Sequence, residues 1–426
     1  MRSPNLTLIL LAALPLASAT HLSNKLQEKV YNVMEVISTH SWENGTKSQA
    51  ILESKYPSYS VFASSSPVPL PAKFDENDIK DVVGVAQVTM SNRPPSNSSA
   101  AAHGGSTLLE DDAAGDPASL GVTILLANAS TGNAQVNGVS YNDAAREELN
   151  YLLYDVPKTS AGAISHRADQ VQLWSDSVYM VPPFLAYYGA LDNNQTLLQQ
   201  AYQQCKLYRD ALRQSNGLWI HITGGNGTSD TNLWATGNGW AAAGMLRVWA
   251  TINWSSFSDQ LNSEKSDLES WVREILDASK PYITSNGIFY NYINNTSSFE
   301  DASSAALMSH VGLSALSRLS TLGITNDYVD MALGLLSAAS SYVNSTGYLT
   351  QVVNPLDFSE QGEESPEGQS FLVMAYAAHK DWNNAGRAGH TNNDGLGSKS
   401  GALPQTGGLG SAVVIATGIF AILVTL

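Results

Sequence analysis

A chain of 426 residues carries 38 acidic against 22 basic residues, a formal net charge of −16, and one cysteine. That balance excludes a protein that wraps nucleic acid or another polyanion over a broad surface, though a local basic pocket stays compatible with it. With Cys205 alone no intrachain disulfide can form, so stability must come from a large apolar core, which a chain of this length can bury.

In chain order, residues 1–19 read as a secretory leader: Arg2, an apolar run from Leu8 to Leu16, then Ala17-Ser18-Ala19 as a cleavage site. A buried N-terminal helix is the competing reading, and it leaves the cleavage triplet unexplained. Residues 20–385 are expected to form one helical domain. Nine Asn-x-Ser/Thr sequons outside the leader, from Asn44 to Asn344, suit a glycosylated secreted protein. The Ser-, Ala- and Asp-rich stretch Ser91–Ala114 reads as a surface loop or flexible insertion.

Helical periodicity predicts helices over Tyr141–Tyr154, Ser177–Gly189, Thr196–Arg213, Gly239–Ile252, Lys265–Ser279, Ser303–Leu319, Asn326–Val343 and Gly368–His379, with little strand alternation. The class is all-α. Cys205 falls within one of these helices, where core packing accounts for it better than catalysis. One pattern recurs: a glycine, two or three apolar or aromatic residues, a polar loop, then a helix. Its glycines, at positions 162, 217, 287 and 347, fall 55, 70 and 60 residues apart, room for one helical pair each. Such pairs must pack on their neighbours, as an open solenoid or a closed ring. The Trp, Tyr, His, Asp and Asn of the loops recur at one end of each pair, which favours a ring with a single aromatic-lined mouth.

Past the domain, residues 386–400 read as a flexible linker and residues 401–426 as a glycosylphosphatidylinositol signal with Ser400 as the attachment site. The apolar run Ser411–Leu426 is too short for a stop-transfer span and has no basic residues after it. Leu403–Gly407 (LPQTG) resembles a Gram-positive sorting motif, but that motif also expects cationic residues after the run. The expected location is the cell surface, reached by secretion, with membrane contact only through the lipid.

Asp176, in QLWSDSVYMVPPFLAYYGA, stands where Ser175 or Asp176 would cap a helix beginning near Val178. It is also flanked by Trp174 and Tyr179, and apolar rings disfavour an ionised carboxyl, which is how a general acid is prepared. His166 and Arg167 precede it in the same loop, and His221 occupies the comparable loop of the next repeat. No HExxH, CxxC, GxSxG or phosphate-loop pattern occurs, so neither a metal nor a cofactor is expected.

Through VPKTSAGAISHR, QLWSDSVYMVPPFLA, GLWIHI, LWATGNGW, EDASSAALMSHVGL and PEGQSFLVMAYA the chain resembles the unsaturated rhamnogalacturonyl hydrolases of glycoside hydrolase family 105. It is similar, at greater distance, to the unsaturated glucuronyl hydrolases of family 88. The resemblance implies an (α/α)6 six-hairpin barrel. It implies Asp176 as the general acid, Asp116 in DPASLG as a second catalytic carboxyl, and His166, His221, Trp174, Trp234 and Trp240 around the sugar. The implied substrate is an oligosaccharide ending in a 4,5-unsaturated uronic acid. The chain is expected to be a monomer. Thr236 stands where the family pattern has arginine, so recognition of a uronate would fall to Arg167 or a histidine. Two alternatives remain open: the same barrel acting on a different glycan, or a surface carbohydrate-binding protein without turnover.

Overall fold

The computed structural model describes residues 21–386 apart from 96–100, 133, 228 and 319–325. The leader over 1–19, the tail over 401–426, Ser400 and the linker beyond Gly386 lie outside the described residues.

In chain order the helices are α1 (Asn24–Ile37), α2 (Ser41–Lys55), α3 (Lys80–Asn92), the single turn α4 (Gly115–Ala118), α5 (Gly121–Thr131), α6 (Tyr141–Asn150), α7 (Ser177–Leu191), α8 (Gln195–Leu212), α9 (Ala235–Trp254), α10 (Asn262–Ser279), α11 (Ala302–Arg318), α12 (Asn326–Ser341) and α13 (Pro366–Asn384). Leaving out α4, they alternate between two burial patterns. Helices α2, α5, α7, α9 and α13 are buried around most of their circumference, and α9 is buried without a break from Ala235 to Ile252. Helices α1, α6, α8 and α10 bury one stripe and leave the other face to solvent. Consecutive members of the set α2, α5, α7, α9, α11, α13 pack on one another, and α13 packs back on α2. The result is a closed inner ring clad by an outer ring of α1, α3, α6, α8, α10 and α12, the expected (α/α)6 barrel.

All four repeat glycines adopt positive φ: 94° at Gly162, 89° at Gly217, 80° at Gly287 and 102° at Gly347. Each closes the same turn. The glycine N–H donates to the carbonyl of the residue three before it, whose own N–H donates to the carbonyl of the residue after the glycine. A residue with a Cβ is strained in that conformation, so the repeated glycine is a backbone requirement. The turn reverses the chain from an outer helix and sends it across the barrel end towards the next inner helix.

Helix α9 begins four residues earlier than the periodicity predicts, so the segment LWATGNGW lies largely inside it. Its glycines serve close approach: a Cβ on Gly237 would come within 2.4 Å of Ser175 Oγ, and one on Gly244 within 2.1 Å of the Val178 carbonyl oxygen. Helices α1, α2, α3 and α5 were not among the predicted ones. Helix α5 (GVTILLANAST) is apolar on every side, which erases the amphipathic signal.

Among the described residues the strands form only two-stranded ribbons. One, β1 (Gln135–Val136) with β2 (Val139–Ser140), lies between α5 and α6. Three lie in the loops that lead from outer to inner helices: β3 (Gln172–Trp174) with β4 (Ile222–Gly224), β5 (Phe289–Tyr290) with β6 (Glu300–Asp301), and β7 (Val352–Asn354) with β8 (Asp357–Gly362). The pair β3 and β4 is antiparallel with Trp174 opposite Ile222, joining the loops of two successive repeats. The stretch Ser91–Ala114 departs from the surface-loop expectation in its second half: Leu108 is fully buried, and its N–H donates to the Glu148 carboxylate at 2.7 Å. Cys205 is buried in α8 and burial pushes its thiol well up, so it is an inert core residue.

Candidate active site

The inner helices all point their N-termini at one end of the barrel, where loops from successive repeats enclose a cleft of about 570 Å³. Of the nine domain residues singled out in the sequence, eight line it: Asp116, His166, Arg167, Trp174, Asp176, His221, Trp234 and Trp240. Thr236 does not. It is fully buried in the first turn of α9, and its hydroxyl donates to Asp301 Oδ2 at 2.8 Å, so it belongs to the packing behind the wall.

Asp176 occupies the N-cap position of α7, yet its side chain makes no capping hydrogen bond and its Oδ1 is buried with no partner in the protein. The capping explanation is thereby removed. Strand β3 holds the residue in place: the Ser175 N–H donates to the His221 carbonyl at 2.9 Å, and the Tyr179 N–H donates to the Asp176 carbonyl at 2.8 Å.

Asp116 lies in the single turn α4 that leads into α5. Burial, then the charge of Asp176, hold its carboxyl well above the usual carboxylate range. His166 Nε2 lies 3.9 Å from Asp116 Oδ1. The His166 backbone is pinned on both sides, accepting from the Ala114 and Gly115 N–H groups and donating to Gln172. Burial pushes its imidazole down towards the neutral form, against the pull of Asp176.

The aromatic groups form a continuous wall. His166 stacks on Trp174 with centroids 4.5 Å apart, Trp174 meets His221 edge-on at 5.4 Å, and His221 packs on Trp234 at 4.4 Å. Phe358, from the β7–β8 ribbon (Val352–Asn354 and Asp357–Gly362), closes on His221 at 4.4 Å. Trp240 continues the wall downwards onto Tyr179 at 4.5 Å. His221 Nδ1 lies 3.1 Å from Asp230 Oδ2, and the Tyr292 hydroxyl donates to the same oxygen. Burial raises Asp230, but hydrogen bonds from His221 and Asn232 outweigh it and hold the group below the usual range.

Arg167 lines the cleft with its guanidinium held loosely, 3.6 Å from Asp112 and 3.7 Å from Asp169. Several wall residues were not found in the sequence: His40, Trp42, Glu110, Asp111, Asp112, Phe358 and Glu367, with Asp230 behind. Glu367 lay within a quoted segment, and its position two residues into a helix after Ser365-Pro366 was the available signal. Asp230 comes from an irregular loop and Phe358 from a short two-stranded ribbon, neither long enough in regular structure to show a periodicity. Among the described residues no group of three or more His, Cys, Asp or Glu could hold a metal ion.

Carboxyls, histidines and tryptophans around one pocket suit acid–base chemistry on a sugar. Matches to solved structures bear on the fold. A possible member of the GH105 family from Klebsiella pneumoniae superposes with a TM-score of 0.65 at 15% identity, covering 89% of this chain and 99% of that one. One from Salmonella enterica serovar Paratyphi A gives 0.63 at 16%, covering 83% and 92%. The unsaturated glucuronyl hydrolase responsible for the degradation of glycosaminoglycan from Bacillus sp. GL1 gives 0.54 at 12%, covering 82% and 93%. No curated protein matches in sequence. Residues 113–350, more than half of the chain and including all eight cleft residues singled out in the sequence, match Glycosyl Hydrolase Family 88, so the chain belongs to this family of glycoside hydrolases.

Proposed function

We propose that this glycoside hydrolase removes a terminal 4,5-unsaturated uronic acid from oligosaccharides left by a pectin or rhamnogalacturonan lyase. Asp176 gives its proton to C4, and the C4=C5 electrons form the new C–H bond, leaving a cation shared by C5 and the ring oxygen. Water adds at C5 and returns its proton to Asp176. The hemiketal opens to a ketone at C5, and the hemiacetal left at C1 releases the remaining saccharide. Asp116, whose carboxyl burial and the charge of Asp176 push towards the neutral form, spares Asp176 a second negative charge and offers a hydrogen bond to the sugar. Arg167 takes the uronate carboxylate in place of the side chain at Thr236, helped by the helix N-termini that converge on the cleft.

The observation that carries this reading is Asp176 itself, an uncapped carboxyl on the cleft wall with one oxygen buried and unpartnered, close to Asp116, whose carboxyl burial holds well above the usual range. The test is the ultraviolet absorbance of the conjugated double bond in lyase-generated fragments. Loss of absorbance is expected; constant absorbance over a panel of unsaturated uronides overturns it. The run Glu110-Asp111-Asp112 at the mouth, with Thr236 turned away to Asp301, favours a second reading, the same barrel acting on a less anionic glycan. Release of saturated sugars without prior lyase treatment would establish that one.

In the same reading the protein is a secreted, glycosylated monomer tethered at the cell surface through lipid on Ser400. The leader, the sequons and the uncharged tail support this. Release from cells by a phosphatidylinositol-specific phospholipase tests the tether.

A further inference from the structure

We propose that Glu367 is a positioning residue whose Oε2–H donates a hydrogen bond to the substrate, in the uronate reading to an oxygen of the sugar carboxylate. The proposal deepens that reading and rests on it.

Three carboxyls stand at the N-termini of adjacent inner helices, and two have protein partners on both oxygens, Glu43 Oε1 through His40 Nδ1 at 3.1 Å. Glu43 on α2 accepts from the Thr39 and His40 N–H groups and the Thr39 hydroxyl. Asp301, just before α11, accepts from Thr236, from the Ser303 N–H and hydroxyl, and from the Ser304 and Val353 N–H groups. Glu367, on α13 between them, is different. It lines the cleft, it is only 4% exposed, and its Oε2 is buried with no partner in the protein. A buried carboxyl oxygen left unpaired is costly unless something else satisfies it.

Burial first, then the charges of Glu43 and Asp301, push its pKa up to about 8. A neutral carboxylic acid is a donor, and a donor in a cleft rich in carboxylates can meet an anionic ligand that an ionised Glu367 would repel. Protonation at this position therefore makes an acidic cleft compatible with a uronate.

The test uses the Asp176→Asn protein to hold substrate without turnover and measures binding of a lyase-generated unsaturated digalacturonide by calorimetry. Adding Glu367→Gln, which keeps a donor, should leave affinity within about threefold. Adding Glu367→Ala should weaken it about tenfold or more, the loss of one hydrogen bond to a charged group. Raising the pH from 7 to 9.5 should weaken binding to the Asp176→Asn parent about tenfold and weaken binding to the Glu367→Gln form clearly less, the remaining dependence being that of Asp116, the other raised carboxyl in the cleft. Equal binding by the Ala form and its parent, or a Gln form as poor as Ala, overturns the proposal while the uronate reading stands.

A readout without substrate separates the two ideas. The infrared difference between wild type and Glu367→Gln at pH 7 should contain the carbonyl band of a protonated carboxyl. Absence of that band defeats the donor even if uronides are bound and cleaved. If the band is present but the parent binds none of a panel of unsaturated uronides, the uronate reading falls, and the carboxylate as partner of Glu367 falls with it.

Discussion

His221 Nδ1 lies 3.1 Å from Asp230 Oδ2, and this contact fixes the orientation of a ring on the cleft wall. Asp230 is a carboxylate held below its usual range, so it accepts from Nδ1–H, and Nε2, buried without a protein partner, is the ring nitrogen left unbonded. Asp230→Leu frees the ring to rotate and to change tautomer. We expect kcat/KM to fall about 10²-fold with the melting temperature little changed, the penalty of a misplaced group near the reacting centre. Asp230→Asn, which keeps an acceptor oxygen, should lose less. Equal activity of the Leu variant and wild type would remove Asp230 from any positioning role.

Asp176→Asn keeps the shape of the side chain and removes the proton donor. Because the native carboxyl makes no cap hydrogen bond to α7, the substitution should cost the fold almost nothing. Turnover should drop by roughly 10² to 10⁴, the range of a general acid. Circular dichroism and thermal melting establish folding, and a steady-state assay on the substrate identified by absorbance reads the loss. Full activity in the Asn variant would show that another group supplies the proton.

Arg167 is a quarter exposed and only loosely paired, so its guanidinium is available for a ligand at little cost in broken contacts. Arg167→Leu should raise KM for an unsaturated uronide about tenfold or more and leave kcat within a few-fold, the pattern of binding shared by ground and transition states. Arg167→Lys should recover part of the loss, since an ammonium gives the charge without the planar fork. A KM that does not move would assign the carboxylate to other partners.

The repeat was legible because its cause is local. A positive-φ turn needs glycine, and the apolar residues after it must reach the core, so Gly162, Gly217, Gly287 and Gly347 mark each passage from outer to inner helix. The same regularity placed His166 and His221 in comparable loops, both of which line the cleft. What stayed hidden depends on long-range contact. Thr236 reads as a site residue by its neighbours in sequence, but the turn of α9 aims it at Asp301, 65 residues away. The cap reading of Asp176 failed for a similar reason, since a cap is a geometric relation that residue type only permits. Leu108 sits in a stretch whose composition signals a loop, yet its side chain joins the core and its backbone N–H is paired with Glu148, 40 residues on.

Glu148 also makes stability depend on pH. Burial pushes its carboxyl from about 4.5 up to about 7, and its Oε1 is left unpaired. Between those values the folded state binds more protons than the unfolded one, so stability falls as pH rises through the window and is flat below it. The full span corresponds to about 3 kcal/mol, an upper figure for one group. Glu148→Gln keeps an acceptor for the Leu108 N–H and cannot ionise. Urea unfolding at pH 5 and pH 8 should show wild type losing stability between the two, with the loss reduced in the variant. The same slope in both proteins would mean that Glu148 ionises freely when folded.

The barrel axis is closed by charge as well as by packing. Arg247 on α9 donates to Glu53 and, at 2.9 Å, to Gln49, both on α2, and its guanidinium lies over the Tyr179 ring of α7 at 5.1 Å. His310 on α11 meets the other Glu53 oxygen at 2.9 Å. Burial raises Glu53, but His310 and Arg247 prevail and hold it below its usual range, so its contribution is present above about pH 4.5 and is lost as pH falls through the lowered value. Glu53→Gln leaves a buried guanidinium without its carboxylate and should cost about 3–5 kcal/mol. Replacing Glu53, Arg247 and His310 together by apolar residues of similar volume should cost much less, because no charge is then stranded. Denaturant midpoints of the single and triple variants decide the matter. A triple variant as damaged as the single one would mean that the network is needed for packing geometry, and that the charge on Arg247 is already balanced without Glu53.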